Sequence, residues 1–255
     1  MKKTLALILF ALMMFTMLTG CQPASSTTAP TVPASAGFPV TVKNGAGEDV
    51  IIRQAPQSIV ITNVWAAEIL LDLVDVGRIK GLSAWGDNPA VSATADKAAG
   101  VAARVATSQP EGIIALNPDL VIVDSFSDFD GSLSKTLRDA GATVLTLNSP
   151  TDFEQIKAAV VTLSAAVGEQ AKGQDMIEAI DAKLQAVAAK LAGLSDSQRR
   201  TVMFYDAALD MNGNDTGLLC AYGAGSPFDA IARSAGLINV VDVVTYSSVS
   251  KEKVV

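Results

Sequence analysis

Three short runs limit what this chain can become. LVIV (120–123) is apolar throughout, and SIVIT (residues 58–62) and TVLTL (143–147) add only small uncharged Ser and Thr to their apolar residues. A strand with one wet face alternates polar and apolar residues, whereas a continuous apolar run needs cover on both faces. Between and around these runs lie segments with helical spacing, at residues 66–76, 111–116 and 133–140, and a further strand, IKGLS (79–83). The alternation implies an α/β architecture, a parallel sheet with helices on both sides. Ahead of it, residues 38–42 and 49–52 flank a Gly-containing turn at 44–47 and read as a β-hairpin.

Ser149-Pro150-Thr151-Asp152 reads as a helix start, with Ser149 as cap and Pro150 in the first turn, and the helix runs to about Gly168. A longer helix follows over residues 169–194. Its Ile177, Ile180, Leu184, Val187, Leu191 and Leu194 recur every three or four positions as one stripe. Such a helix is either a spacer laid across two α/β regions or one more cover for the sheet, and periodicity does not separate the two. After Arg199-Arg200 the α/β rhythm restarts. A strand is expected at 201–206, a polar loop at 210–217, and a helix from Ser226-Pro227 to Ser234.

The N-terminus reads as an address. Lys2 and Lys3 lead into a short apolar run, residues 5–18, as in a secretory signal. Leu18-Thr19-Gly20-Cys21 resembles the bacterial lipobox, which implies lipidation at Cys21 after removal of residues 1–20. Residues 21–36, rich in Ser, Thr, Ala and Pro and uncharged, then form a flexible tether. The expected location is the extracytoplasmic face of a cell membrane, held by the lipid. Cys220 is then the only other thiol, expected as a small buried apolar side chain.

Composition excludes several functions. The chain has no histidine, so no Ser-His-Asp or Cys-His set and no His-ligated zinc or haem can form. The net charge of −7 offers no basic footprint for a nucleic-acid partner. Neither a P-loop nor Gly-x-Ser-x-Gly is present.

Five segments, in order, resemble the substrate-binding lipoproteins of ABC importers for iron–siderophore complexes, haem and cobalamin. They are VTVKNGAGEDVIIRQAPQSIVI, Ala66-Ala67-Glu68-Ile69-Leu70, RIKGLSAWGDNP (78–89), PEGIIALNPDLVIVDS (110–125) and Ala235-Gly236-Leu237-Ile238-Asn239-Val240. The resemblance implies two α/β lobes with parallel-type sheets, joined by one long helix, with the ligand clamped between them. On that reading residues 37–168 are the N-terminal lobe, 169–194 the connecting helix and 195–255 an incomplete C-terminal lobe. SKEKVV (250–255) aligns with QPEGII (109–114) of the first lobe, where Asn-Pro-Asp and a strand come next, so the second lobe reads as truncated or naturally reduced. The resemblance also implies an acidic permease-docking residue on each lobe. Glu68 fits in the first. The matching position in the second is Arg233, and Asp229, one turn earlier, is the substitute.

Loops beyond the strand ends are the candidate ligand site. They carry Asn63, Val64 and Trp65; Trp85, Gly86, Asp87 and Asn88; Asp124, Ser125 and Phe126; and, from the second lobe, Tyr205, Asp206, Met211, Asn212, Tyr222 and Tyr246. Both tryptophans and all three tyrosines of the chain fall in or near these loops, as suits a large planar or partly apolar ligand. Tyr205 or Tyr222 could ligate a haem iron as phenolate. Few cations lie nearby. Arg104 is the nearest, ahead of a possible capping box at Ser108 and Glu111, so a neutral or weakly charged complex is favoured. The expected function is a non-enzymatic, monomeric lipoprotein with no cofactor. It binds an iron or cobalt chelate and delivers it to an ABC permease and ATPase. The competing readings are a surface receptor or adhesin reusing the fold, and a carboxylate-based hydrolase.

Overall fold

A computed structural model describes residues 37–209, 215–250 and 252. Residues 1–20, Cys21, the tether, Met211 and Asn212 lie outside the described residues. Strands β1 (Val40–Lys43) and β2 (Asp49–Ile52) form the expected antiparallel hairpin. The first lobe is built on a five-stranded parallel sheet of β3 (Ile59–Ile61), β4 (Ile79–Ser83), β5 (Ala103–Val105), β6 (Leu120–Asp124) and β7 (Val144–Leu147), in the order β5-β4-β3-β6-β7.

Both faces of this sheet are buried, as the apolar runs require. Successive side chains point to opposite faces of a strand. Ile59, Ile61, Leu120, Ile122 and Leu145 enter one core, with α1 (Val64–Leu73), α5 (Phe153–Val167) and the start of α6 (Gln170–Leu191). Val60, Val121, Val123 and Val144 enter the other, with Ile113 of α3 (Pro110–Ile114) and Leu133 and Leu137 of α4 (Ser132–Asp139). The short helix α2 (Ala95–Ala98) and β5 were not expected from the sequence, because neither spans enough residues to show a period.

Two local readings are corrected. The cap of α5 is Asp152, whose side chain accepts from Gln155 N, and not Ser149. Ser149 Oγ instead donates to Asp124. The Ser108–Glu111 capping box does not form either: α3 is flanked by Gln109, which makes no side-chain cap.

Helix α6 lies tightly along α5. A Cβ at Gly173 would collide with Ser164, so only glycine permits this approach. Lys157 of α5 is buried and pairs with Glu154 at 2.7 Å and with Asp181 of α6 at 2.8 Å. Burial alone would lower the pKa of Lys157, but the hydrogen bonds to Asp181 and Glu154 outweigh it and the net shift is upward. The stripe on α6 divides in two. Ile177 is 1% exposed, while Val187 further along is 40% exposed; the helix ends at Leu191, short of the expected 194, so Leu194 lies beyond it. The helix thus covers the first lobe with its first half and projects beyond it with its second, as a spacer does.

The second lobe departs in detail from a restarted α/β rhythm. The expected strand at 201–206 breaks at Met203 into β8 (Thr201–Val202) and β9 (Phe204–Leu209), which belong to different sheets. Strand β8 pairs in parallel with β11 (Ile238–Asn239). Strand β9 pairs antiparallel with β10 (Asp215–Tyr222), and β10 with β12 (Tyr246–Ser250). The loop expected as far as Gly217 therefore gives way to strand at Asp215. Helix α7 (Pro227–Ser234) is capped by Ser226, as expected, and Gly236 just beyond it leaves room for Leu191 of α6. The whole is α/β, two lobes joined by one long helix.

Removing Asp181's charge leaves Lys157 buried with one partner fewer. Asp181→Asn should lower stability by about 1–3 kcal/mol. Glu154→Gln, at a side chain more than half exposed, should cost less than about 1 kcal/mol. The folded state raises the pKa of Lys157. Its pairing is therefore fully present below the ordinary lysine value of 10.5 and is lost as pH rises through the higher folded value. Thermal midpoints of wild type and Asp181→Asn should differ by a steady amount from about pH 7 to 9 and converge in more alkaline buffer.

Candidate functional site

The strand order places a switch point between β3 and β6. The chain leaves β3 for α1 on one face of the sheet and leaves β6 for α4 on the other, so the loops diverge at the carboxyl edge. Crevices of this kind hold ligands in open α/β sheets. Here the crevice is organised by Asp124, the last residue of β6, which is 4% exposed. One carboxylate oxygen accepts Trp65 Nε1 at 2.6 Å and Ser149 Oγ at 2.5 Å, and the other accepts the backbone N–H of Phe126 at 2.7 Å. A single side chain thus ties the loops after β3, β6 and β7. Ser125 Oγ donates to Asn148 Oδ1, and Asn148 Nδ2 donates to the carbonyl of Gly45, which adds the hairpin turn to the same network. Asn63 caps α1 by accepting from Ala66 N and so sets the direction in which Trp65 leaves the sheet.

The loop after β4 is held from outside. Arg104 Nε and Nη2 both donate to Asp87 Oδ2, at 3.1 and 2.7 Å, and the guanidinium also reaches the carbonyls of Ala98, Val101 and Ala103. The hydrogen bond and charge of Arg104 hold the Asp87 carboxyl below its usual value. Asn88 accepts from Ala90 N within the same turn. Asp87, Asn88 and Arg104 therefore shape the loop, while Trp85 stands 62% exposed.

The loop after β6 carries Phe126 and also Phe129, which strand ends alone do not single out. They are 87% and 89% exposed. The signal was present in SFSDFDG, two large apolar rings in an otherwise polar loop. Asp128 fixes the far end of this loop by accepting from Leu133 N and Ser134 N.

On the second lobe, Tyr222 lies opposite Phe204 on one neighbouring strand and Tyr246 on the other. Its ring sits 4.7 Å from Phe228 and 6.4 Å from Tyr246. Burial, then the nearby Cys220, pushes the Tyr222 hydroxyl above its ordinary value. Tyr205 points to the other face of the ribbon and is 55% exposed. Cys220 is half-buried on β10, less enclosed than the sequence suggested.

Glu68 and Trp65, one turn apart on α1, line a single apolar groove of about 440 Å³. Ile69, Ile156 and Val160 continue it, with Met176 and Ile180 of α6. Glu68 Oε1 accepts from Ala93 N at 2.6 Å. Asp229 is placed differently from the sequence expectation of a docking face. It is buried, with Oδ2 3.1 Å from Arg233 Nε and Oδ1 accepting from Asn239 Nδ2, so its carboxylate serves the packing of α7. A smaller cavity of about 90 Å³ lies where the start of α5 meets Pro227, Ala230 and Ile231 of α7, at the seam between the lobes. Among the described residues no group of three acidic or Cys side chains is arranged to hold a metal, and no helix is long and apolar enough to cross a membrane.

A parallel-sheet lobe with its switch point open, a long helix seated on it and a second lobe beyond define a two-lobed binding protein. The chain belongs to the periplasmic binding protein family, whose model matches residues 59–254. It is 26% identical over 221 residues to YvrC of Bacillus subtilis (strain 168), an uncharacterized ABC transporter substrate-binding lipoprotein. That match covers 85% of this chain and 69% of the relative. Among solved structures it is similar to the haem-binding protein HmuT, at 18% identity and a TM-score of 0.65 over 88% of this chain and 70% of that one. It is also similar to a periplasmic haem-binding protein from Pseudomonas aeruginosa, at 21% identity and a TM-score of 0.64 over 78% of this chain and 68% of that one. Identities this low speak for the fold. The family makes the chain a substrate-binding component of transport.

Asp124→Leu strands three donors at the carboxyl edge. It should cost about 2–4 kcal/mol, and Ser149→Ala less than about 1.5. Urea titration gives both values, and Trp65 emission should change in Asp124→Leu well before global unfolding.

Proposed function

We propose that this chain is the extracytoplasmic, lipid-anchored receptor of an ABC importer, and that it captures an iron or cobalt chelate: a ferric siderophore, haem or cobalamin. The observation that carries this reading is the set of exposed aromatic rings on fixed supports, Trp85, Phe126 and Phe129 on the first lobe and Tyr246 on the second. Rings held open to water gain most from a large ligand with apolar faces. The haem-binding proteins above, and BauB, a siderophore-binding protein of TM-score 0.56, have ligands of that kind. Because Arg104 is occupied within its own lobe, a neutral or weakly charged complex suits the edge better than a polyanion.

The ligand settles against the loops after β3, β4 and β6, including Trp65, Trp85 and Ser125. The second lobe, through Tyr222 and Tyr246 on one face of its ribbon, closes on it, and Tyr205, on the other face, takes no part on this reading. Asp87 and Asn88 contribute by shaping their loop. No covalent step is involved, and the protein acts as a monomer without a cofactor. Glu68 then presents the loaded protein to the permease. Asp229, buried and paired, takes no part in docking on this reading.

Fluorescence titration with haemin, ferric siderophores and cobalamin tests the ligand class. Trp85→Ala should weaken binding about five- to 150-fold, equivalent to about 1–3 kcal/mol, with little change in thermal midpoint. Trp65→Ala should lower both, since its ring is half-buried and bonded to Asp124. Absence of saturable quenching with any of the three classes would remove the proposal.

Cys21→Ser should release the protein from the membrane into the soluble fraction. Retention of a processed Cys21→Ser chain on membranes would exclude the lipid anchor.

A further inference from the structure

We infer that the amino edge of the first sheet carries a site for the phosphate of an anionic lipid headgroup, with Arg53 as its cation. The inference rests on the proposed lipid anchor at Cys21 and adds to it a resting pose on the bilayer. A cavity of about 500 Å³ opens at this edge, at the far end of the strands from the ligand crevice. It is lined by Ile51, Ile52, Arg53 and Gln54 at the end of β2, and by Asp119 and Thr143, which immediately precede β6 and β7. Arg53 and Gln54 are exposed, and neither they nor Thr143 makes a side-chain hydrogen bond or ion pair among the described residues. The one acid of the cavity is engaged elsewhere: the two oxygens of Asp119 accept the backbone N–H groups of Gln57 and Ser58, at 2.8 and 3.0 Å. Neighbouring cations at this end are taken up. Arg78 bonds the carbonyls of Pro56 and Val167 and pairs with Glu169, and Lys172 shares Glu169 and bonds the Leu73 carbonyl. Arg53 is left as an uncompensated guanidinium beside an amide and a hydroxyl, a donor set that suits phosphate oxygens.

The folded chain also begins at this edge. The hairpin turn is tied to the carboxyl edge, where Gly45 N donates to the Thr146 carbonyl and Asn148 Nδ2 to that of Gly45. Its open end, where Val40 pairs with Ile52, therefore lies at the amino edge. Phe38 is seated at the end of α5, so close that a Cβ on Gly168 would come within 2.9 Å of its ring. Residues 21–36 thus enter beside Arg53. These 16 residues reach at most about 55 Å, and a site held so near a bilayer meets headgroups at an effective concentration on the order of millimolar. One arginine at an anionic surface is worth about fivefold in occupancy. That is too little to recruit a free acidic chain and enough to orient a tethered one. With the amino edge on the headgroups, the carboxyl edge and its open rings face away from the membrane, the pose for capture. So weak a contact also lets the loaded chain turn toward the permease.

The test uses the full processed lipoprotein in vesicles of phosphatidylcholine, alone or with one-third phosphatidylglycerol. Benzoylphenylalanine replaces Ile51 at the cavity, or, as control, exposed Ala90 in the turn after β4 at the opposite edge. After irradiation, intact mass reads the fraction of chain joined to phospholipid. On the anionic vesicles position 51 should give at least threefold more lipid adduct than position 90, and on phosphatidylcholine alone the two should agree within twofold. Arg53→Gln should bring position 51 down to the level of position 90, Arg53→Lys should keep at least half of the excess, and both should melt at the wild-type midpoint. Four results would overturn the inference: equal adducts at the two positions, an excess that survives Arg53→Gln or pure phosphatidylcholine, an adduct lost together with the thermal midpoint, or micromolar binding of inorganic phosphate by the soluble Cys21→Ser chain, which would make this a free-anion site. If the chain is anchored and position 51 shows no excess, the site fails and the anchor stands. If the native chain carries no lipid, the anchor proposal fails. Residues 21–255 with Cys220→Ser, coupled through Cys21 to a maleimide lipid, then decide the site by the same comparison.

Discussion

The close crossing of α5 and α6 decides where the second lobe can be. Gly173 lets the helices approach until Ser164 meets bare backbone, and Lys157 is buried between Glu154 and Asp181. At the entrance to α6, Arg78 donates to the carbonyls of Pro56 and Val167 and pairs with Glu169 at 3.2 Å, which ties the helix junction to the segment before β3. A helix gripped over its first half acts as a lever. Its direction beyond residue 180 is inherited from contacts made inside the first lobe, and the seam between the α5 start and α7 takes its position from that direction.

At the sheet's other end the governing device is polar. Loops at a carboxyl edge have no ladder to hold them, and the backbone groups there need partners. Asp124 supplies acceptors to two side chains and one N–H from three separate loops. Arg104 plays the corresponding part for the loop after β4, as a donor to one carboxylate and three carbonyls. The exposed rings of Trp85, Phe126 and Phe129 can remain in water because the backbone beneath them is anchored by such contacts.

Much of the first lobe was legible in the sequence. Continuous apolar runs need two covered faces, and SIVIT and LVIV have them. The second lobe was less legible, because the same propensity serves parallel and antiparallel ladders. TVMFYD reads as one strand, and only pairing with β11 on one side and β10 on the other divides it at Met203. Of the site, the loops and their aromatics were readable because they follow strand ends. What stayed hidden was which polar residues support the fold. Asp87, Asn88, Arg104 and Asp229 look like binding groups in a one-dimensional reading, yet each is taken up by a partner inside its own lobe. Strand order, which creates the switch point beside Asp124, has no local signature at all.

The hydrogen-bonded edge has a thermodynamic consequence. Because these loops are fixed before any ligand arrives, capture freezes little further backbone, and the ordering penalty that mobile binding loops carry, about 1–2 kcal/mol per residue, is largely absent. What changes on capture is the hydration of the open rings. The heat of binding should therefore become more favourable on warming, with a negative heat-capacity change set by the aromatic area dried and not by loop folding.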